Sequence, residues 1–119
     1  MQYEYFYGAQ AEQFSFYRIP KALFTEPNFR ELSTDAKVLY GILLDRMSLS
    51  LKNQWIDAQN KVYIIFTVEE IMDALNCANQ KATRLMVELE KQAGLIERKR
   101  QGLGRPNLIY VKNFAATIN

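Results

Sequence analysis

Apolar residues recur along this chain with two different periods, and the switches between them divide it into elements. From Ser33 onward, Ala36, Leu39, Tyr40, Leu43 and Met47 fall at helical spacing, with Val38, Ile42 and Leu44 widening the stripe. So broad a face predicts a helix at the centre of a core. Ser33 can accept a hydrogen bond from a first-turn N–H, and Asp35 complements the dipole there. The pattern fades near Leu51. Asn53 to Asp57 and Val62 to Phe66 are β-like and joined by Ala58, Gln59, Asn60 and Lys61, which predicts a hairpin over 53–66 with Trp55 against the body.

Helical spacing returns at Thr67. Thr67, Val68, Glu69 and Glu70 form a capping box, in which the threonine oxygen caps the first turn and Glu70 reaches back to the Thr67 N–H. Val68, Ile71, Met72 and Leu75 give this short helix one narrow stripe. It breaks at Asn76, Cys77 and Ala78. A longer helix is predicted from Asn79 to Gln92, burying Ala82, Leu85, Met86 and Leu89 and ending at Gly94, which suits a left-handed C′ position. Its opposite face carries Gln80, Arg84, Val87 and Lys91, flanked by Lys81 and Thr83. Leu95 to Arg100 then reads as a strand, Gln101 to Asn107 as a glycine-bearing turn, and Leu108 to Lys112 as the returning strand.

A short helix, a tight break, a longer helix and a basic hairpin define an α+β, winged helix-turn-helix plan. Two β-hairpins are expected, 53–66 and the wing over 95–112. Residues 1–15 read as an N-terminal arm, 16–114 as the domain and 115–119 as a tail. Phe16 to Ile19 alternates as a short strand ended by Pro20. Seven of the fifteen aromatics lie within the first 17 positions, and that much apolar area is costly in water. The arm is therefore expected to pack on its own body or on a second subunit.

Composition narrows the chemistry. With 119 residues, 49% hydrophobic and 24% charged, the chain supports one domain with a modest core. It has no histidine and a single cysteine, Cys77, so a disulfide framework, a Cys/His zinc site and any imidazole-dependent triad are excluded. No apolar run is long enough to span a membrane, and the N-terminus lacks the basic flank and apolar stretch of a signal peptide. A cytoplasmic protein is expected. Asp35, Asp45, Asp57 and Asp73 show no metal-ligand spacing, and no phosphate-cradling GxxxxGK[ST] loop occurs. Cys77 reads as a small packing residue. No enzyme, cofactor or metal is expected.

The net charge of +2 hides a division: residues 1–76 sum to −3 and residues 77–119 to +5. A basic end on an acidic body is suited to polyanions. In a helix-turn-helix, the second helix enters the major groove. Asn79 and Gln80 can pair with adenine, Lys81 and Arg84 with guanine or a phosphate, and Thr83 with a thymine methyl. The wing adds Arg98, Lys99 and Arg100 on alternating faces, then Gln101, Arg105 and Asn107 around two glycines that allow close backbone approach. Arg105 is the candidate for minor-groove insertion. A solvated polar face and an edge-protecting hairpin would look similar, but neither explains why helix and hairpin are basic together.

The stretches FYRIPKALF (Phe16 to Phe24), LSTDAKVLYGILLDRMSLS (Leu32 to Ser50), NQWID (Asn53 to Asp57), FTVEEIMDALNC (Phe66 to Cys77) and QGLGRPNLIYVKNF (Gln101 to Phe114) resemble the N-terminal domain of the plasmid replication initiator protein A (RepA) family of Gram-positive bacteria. That resemblance implies binding to repeated origin sequences (iterons) in double-stranded DNA, as a homodimer, with Asn79 to Gln92 as recognition helix and Gln101 to Asn107 as wing. It also implies a further C-terminal domain, beyond Asn119, that would engage host replication proteins. The family often has serine where this chain has Ala78. An alanine cap costs about 1 kcal/mol, so Asn79 or Asn76 is expected to take the role, or the helix to start one residue later. Two other readings fit the same fold: a winged-helix transcription regulator, and a protein-interaction module using the aromatic arm. DNA binding should weaken steeply with salt; an apolar protein interface should not.

Overall fold

A computed structural model of the chain describes residues 2–9 and 13–115. A short helix α1 (Ala22–Thr25) and a 3-10 turn (Pro27–Phe29) precede the long α2 (Thr34–Met47). Strand β1 (Ile64–Ile65) leads into α3 (Val68–Leu75) and α4 (Asn79–Val87), whose last turns widen into a π-helical segment (Glu88–Gln92). Strands β2 (Ile96–Lys99) and β3 (Leu108–Val111) close the domain. The sheet is antiparallel in the order β1-β3-β2. The α+β winged helix-turn-helix read from the pattern is the fold observed.

The core follows the predicted stripes closely. Ala36, Leu39, Tyr40 and Leu43 of α2, Ile71 of α3, Ala82, Leu85 and Met86 of α4, and Leu89 of the π-helical segment are all buried. They meet Ile64, Ile96 and Ile109 from the sheet in a single cluster, with Trp55 and Cys77 packed at its edge. Each fully buried leucine or isoleucine contributes about 1.5–3 kcal/mol. The caps are also as read. Ser33 Oγ accepts from the Ala36 N–H at 3.1 Å. Glu70 N–H donates to Thr67 Oγ1 at 3.1 Å while Thr67 N–H donates to Glu70 Oε1 at 3.0 Å. Gly94, at φ +65°, ends the second helix of the pair.

Four expectations change. Phe16 to Ile19 is not a strand, since no strand among the described residues pairs with it. It instead crosses α2 at Gly41, where a Cβ would lie 2.8 Å from the Arg18 carbonyl oxygen and 2.9 Å from Ile19 Cγ1. The 53–66 hairpin turns back as expected, but its ladder is a single bridge, Ile56 to Val62. A side chain and a third strand explain this. Asp57 Oδ1 accepts from the N–H groups of Gln59 and Lys61 and fixes the turn, while Ile64 and Ile65 pair with Ile109 and Leu108 of β3. The first long helix stops at Met47, before Leu51.

The fourth change concerns packing of the arm on its own body. Its aromatics do not sink into the body: Tyr3, Tyr5, Phe6, Tyr7, Phe14, Phe16 and Tyr17 are 51–84% exposed. Phe14 lies edge-on to Phe6 and to Phe16, with centroids 5.9 and 6.3 Å apart. The radius of gyration is 16.3 Å, against about 13.5 Å for a compact chain of this length. Residues 1 and 10–12 of the arm, and 116–119 of the predicted tail, lie outside the described residues.

Candidate nucleic-acid interface

The turn between α3 and α4 is three residues long. Asn76 ends α3 in the left-handed region at φ +53°, a conformation asparagine tolerates better than most residues. The second helix then starts at Asn79 with Ala78 as its cap, and no side chain caps it. Neither Asn76 nor Asn79 takes that role, contrary to expectation. Asn76 is committed to the turn, and the Asn79 Oδ1 accepts from Thr83 Oγ1 at 3.4 Å, one turn further along. The first N–H groups of α4 therefore lack side-chain acceptors, at the end of the helix that attracts anions.

Around that end the predicted contact residues are divided. Asn79, Gln80, Thr83 and Arg84 are exposed, with Val87 and Lys91 continuing the same face. Lys81 is half-buried and its ammonium lies 2.6 Å from Asp35 at the start of α2. Two turns further along the same stripe, Glu88 is buried and its carboxylate accepts from both the Ser33 N–H at 2.7 Å and the Ser33 hydroxyl at 2.9 Å. Two polar ties thus pin α4 against the N-terminus of α2. Glu88 escaped sequence reasoning, although its spacing of seven from Lys81 placed both on one stripe.

The wing is fixed to the same helix. Ile96 pairs with Val111 and Arg98 with Ile109, so these four share the sheet face turned to the body. That orientation delivers the Arg98 guanidinium to Glu90 in the π-helical segment, with Nη2 2.8 Å and Nε 3.1 Å from one carboxylate oxygen. The Arg98 N–H donates to the other oxygen at 3.0 Å. Burial works against the Glu90 charge, but these bonds and the guanidinium hold its carboxyl below its ordinary range. Arg98 and Lys99 alternate as the strand period requires, yet only Lys99 faces outward.

At the tip, Gln101, Arg105 and Asn107 are exposed together with Lys99 and Arg100. The Gln101 side-chain amide donates to the Pro106 carbonyl at 2.8 Å and closes the turn. Lys99, Arg100, Arg105 and Arg84 form no ion pair among the described residues, whereas Lys81 and Arg98 do. The returning arm of the wing lies over the start of α3: a cleft of about 240 Å³ is lined by Thr67, Val68, Met86, Arg98, Arg105 and Asn107, among others. On the far side, Glu70 joins the capping box to Arg46 of α2, whose guanidinium sits 4.5 Å over the Phe66 ring. Burial opposes the Glu70 charge, and the Thr67 and Arg46 hydrogen bonds outweigh it, so its carboxyl is also held low.

An exposed polar face on the second helix of the pair, beside a basic wing locked to that helix, defines a winged helix-turn-helix with that face uncovered among the described residues. Residues 15–119 match the family described as "Replication initiator protein A (RepA) N-terminus". The chain belongs to that family.

Among solved structures, one described as "N-Terminal domain of DNA binding protein" superposes with a TM-score of 0.79 at 39% identity, covering 98% of this chain and 88% of that one. A second, "Structure of Rep-DNA complex", gives 0.79 at 38% identity over 97% and 88%. A third, "Structure of MDR initiator", gives 0.76 at 41% identity over 96% and 89%. A "41 kDa protein" of Lactobacillus helveticus is 33% identical over 92 residues, or 77% of this chain. The chain accounts for 26% of the length of that curated relative. No helix among the described residues is long and apolar enough to cross a membrane.

Proposed function

We propose that this chain binds double-stranded DNA sequence-specifically at repeated origin elements and so initiates replication of a plasmid or mobile element. The observation that carries the reading is the joint exposure of the α4 face and of a basic wing that Glu90 holds to the same helix. Membership of the initiator family and similarity to a structure described as a Rep-DNA complex support it. The second helix would enter the major groove, with Asn79, Gln80, Thr83 and Arg84 reading base edges. Lys99, Arg100, Gln101, Arg105 and Asn107 would meet the backbone and minor groove and set register. Lys81 and Arg98, already paired with Asp35 and Glu90, act first as positioning residues.

The mechanism is stoichiometric, without bond chemistry in this domain, and acts in the cytoplasm. Bound copies would build a nucleoprotein platform, and further domains or host proteins would unwind and prime the DNA. The copies would act as homodimers. Trp55 of the 53–66 hairpin is packed on the core whereas the aromatic arm is exposed, which favours the arm as the pairing surface. Sedimentation should then show a dimer that persists in high salt and that loss of residues 1–15 converts to monomer; a monomeric intact chain removes the arm from this role.

Fluorescence anisotropy on duplexes tiled across the gene for this chain and its flanks, each against a shuffled duplex at two salt concentrations, tests the DNA reading. One repeated tile should bind at least about 1000-fold tighter than its shuffled control, with strong salt dependence. Weak and equal binding to every tile would overturn it.

A further inference from the structure

The wing carries at its apex a residue that belongs neither to the core nor to the polar contact set. Leu103 is fully exposed, between Gly102 at φ +121° and Gly104 at φ +76°. Nothing lies within 4 Å of a Cβ built on either glycine, so both are needed for their backbone conformation and not for space. The turn closes on itself. The Arg105 N–H donates to the Gly102 carbonyl at 3.3 Å and Gln101 to the Pro106 carbonyl at 2.8 Å. These bonds hold the leucine outward without help from the body. An isobutyl group fully in water is unfavourable, and no element among the described residues covers it.

Its surroundings select what could cover it. Lys99, Arg100 and Arg105 flank it, none ion-paired among the described residues. From Arg98 onward the sequence contains no carboxylate. An apolar tip set between cations fits a groove whose walls are anionic and whose floor is the edge of stacked bases. We propose that Leu103 is a wedge that enters the minor groove at a flexible base step and bends the duplex there. Apolar side chains that part a base step unstack it and kink the helix toward the major groove. Pyrimidine–purine steps yield most readily, so the wing would add a preference for such a step that no hydrogen bond reads. The inference rests on the DNA-binding reading.

The test uses the tightest-binding tile from the gene for this chain, as a duplex of about three helical turns with a donor and an acceptor dye at its ends. Intact protein should raise energy transfer by bringing the ends together. Leu103→Ala should bind roughly tenfold more weakly, lose the change in transfer, and keep the salt slope and the melting temperature. Leu103→Met, which keeps an apolar tip, should retain the bend. Arg105→Ala should do the reverse, lowering the salt slope by about one while the duplex stays bent. A Leu103→Ala protein that binds and bends as the intact chain does overturns the wedge. So does intact protein that binds its tile salt-dependently on a straight duplex, and in both cases DNA binding itself stands. Absence of any salt-sensitive preference in the intact protein defeats the DNA reading first, and the wedge with it.

Discussion

Two arginines that look alike in the sequence do different work in the fold. Arg84 stands on the exposed face of α4 with no ion pair among the described residues, while Arg98 is closed onto Glu90 through three hydrogen bonds. On the proposed reading Arg84 is a base-reading fork, so Arg84→Ala should cost about 1–3 kcal/mol on the preferred duplex and relax its base preference. Lys99→Ala should weaken every duplex alike and lower the salt slope by about one. Anisotropy titrations on the preferred and shuffled duplexes at three salt concentrations separate the two; equal losses on both duplexes for Arg84→Ala would remove α4 from base recognition. The exposed polar face was legible because helical period alone sorts Gln80 and Arg84 from Leu85 and Met86. The pairing of Arg98 was not. Its partner is eight residues away across a helix end, and only the strand register decides which side of the sheet it takes.

At the scale of elements, sequence pattern foretold α2, α3, α4 and both strands of the wing, because caps and apolar stripes act locally, but not the single-turn α1 (Ala22–Thr25) or the π-helical widening. What it missed was set by neighbours. Phe16 to Ile19 alternates like a strand but finds no partner and lies instead across Gly41. The 53–66 hairpin keeps one bridge because β3 recruits Ile64 and Ile65. Ala78 is the clearest local departure from the rules of helix initiation. Since its backbone already has the extended conformation of a cap, at φ −81° and ψ 167°, Ala78→Ser can be added without rearrangement. It should stabilise the domain by about 1 kcal/mol, read as a higher urea midpoint with an unchanged slope. No gain in midpoint would mean that the serine hydroxyl fails to reach the first-turn N–H groups.

For the whole molecule, three glutamates tie together parts that would have to move together on DNA: Glu88 to Ser33, Glu90 to Arg98, and Glu70 to Arg46. Glu70 and Glu90 both titrate below their ordinary range in the folded chain. Stability from these groups is therefore fully present above the unfolded glutamate value of about 4.3 and is lost as pH falls through the lower folded values. The melting temperature should be level between about pH 5.5 and 7 and drop below about pH 4.5. Glu90→Gln should melt lower at pH 7 and show a shallower acid limb; an unaltered limb would mean that the Glu90–Arg98 pair does not stabilise the fold.

The stripe that fastens α4 to the domain (Lys81, Ala82, Leu85, Met86, Glu88 and Leu89) shares no residue with its outward face of Gln80, Thr83, Arg84 and Val87. On the proposed DNA reading, architecture and address are thus written on opposite sides of one helix. A descendant chain can acquire a new target by exchanging a few outward side chains, without repacking its interior, so divergence of recognition carries almost no structural debt.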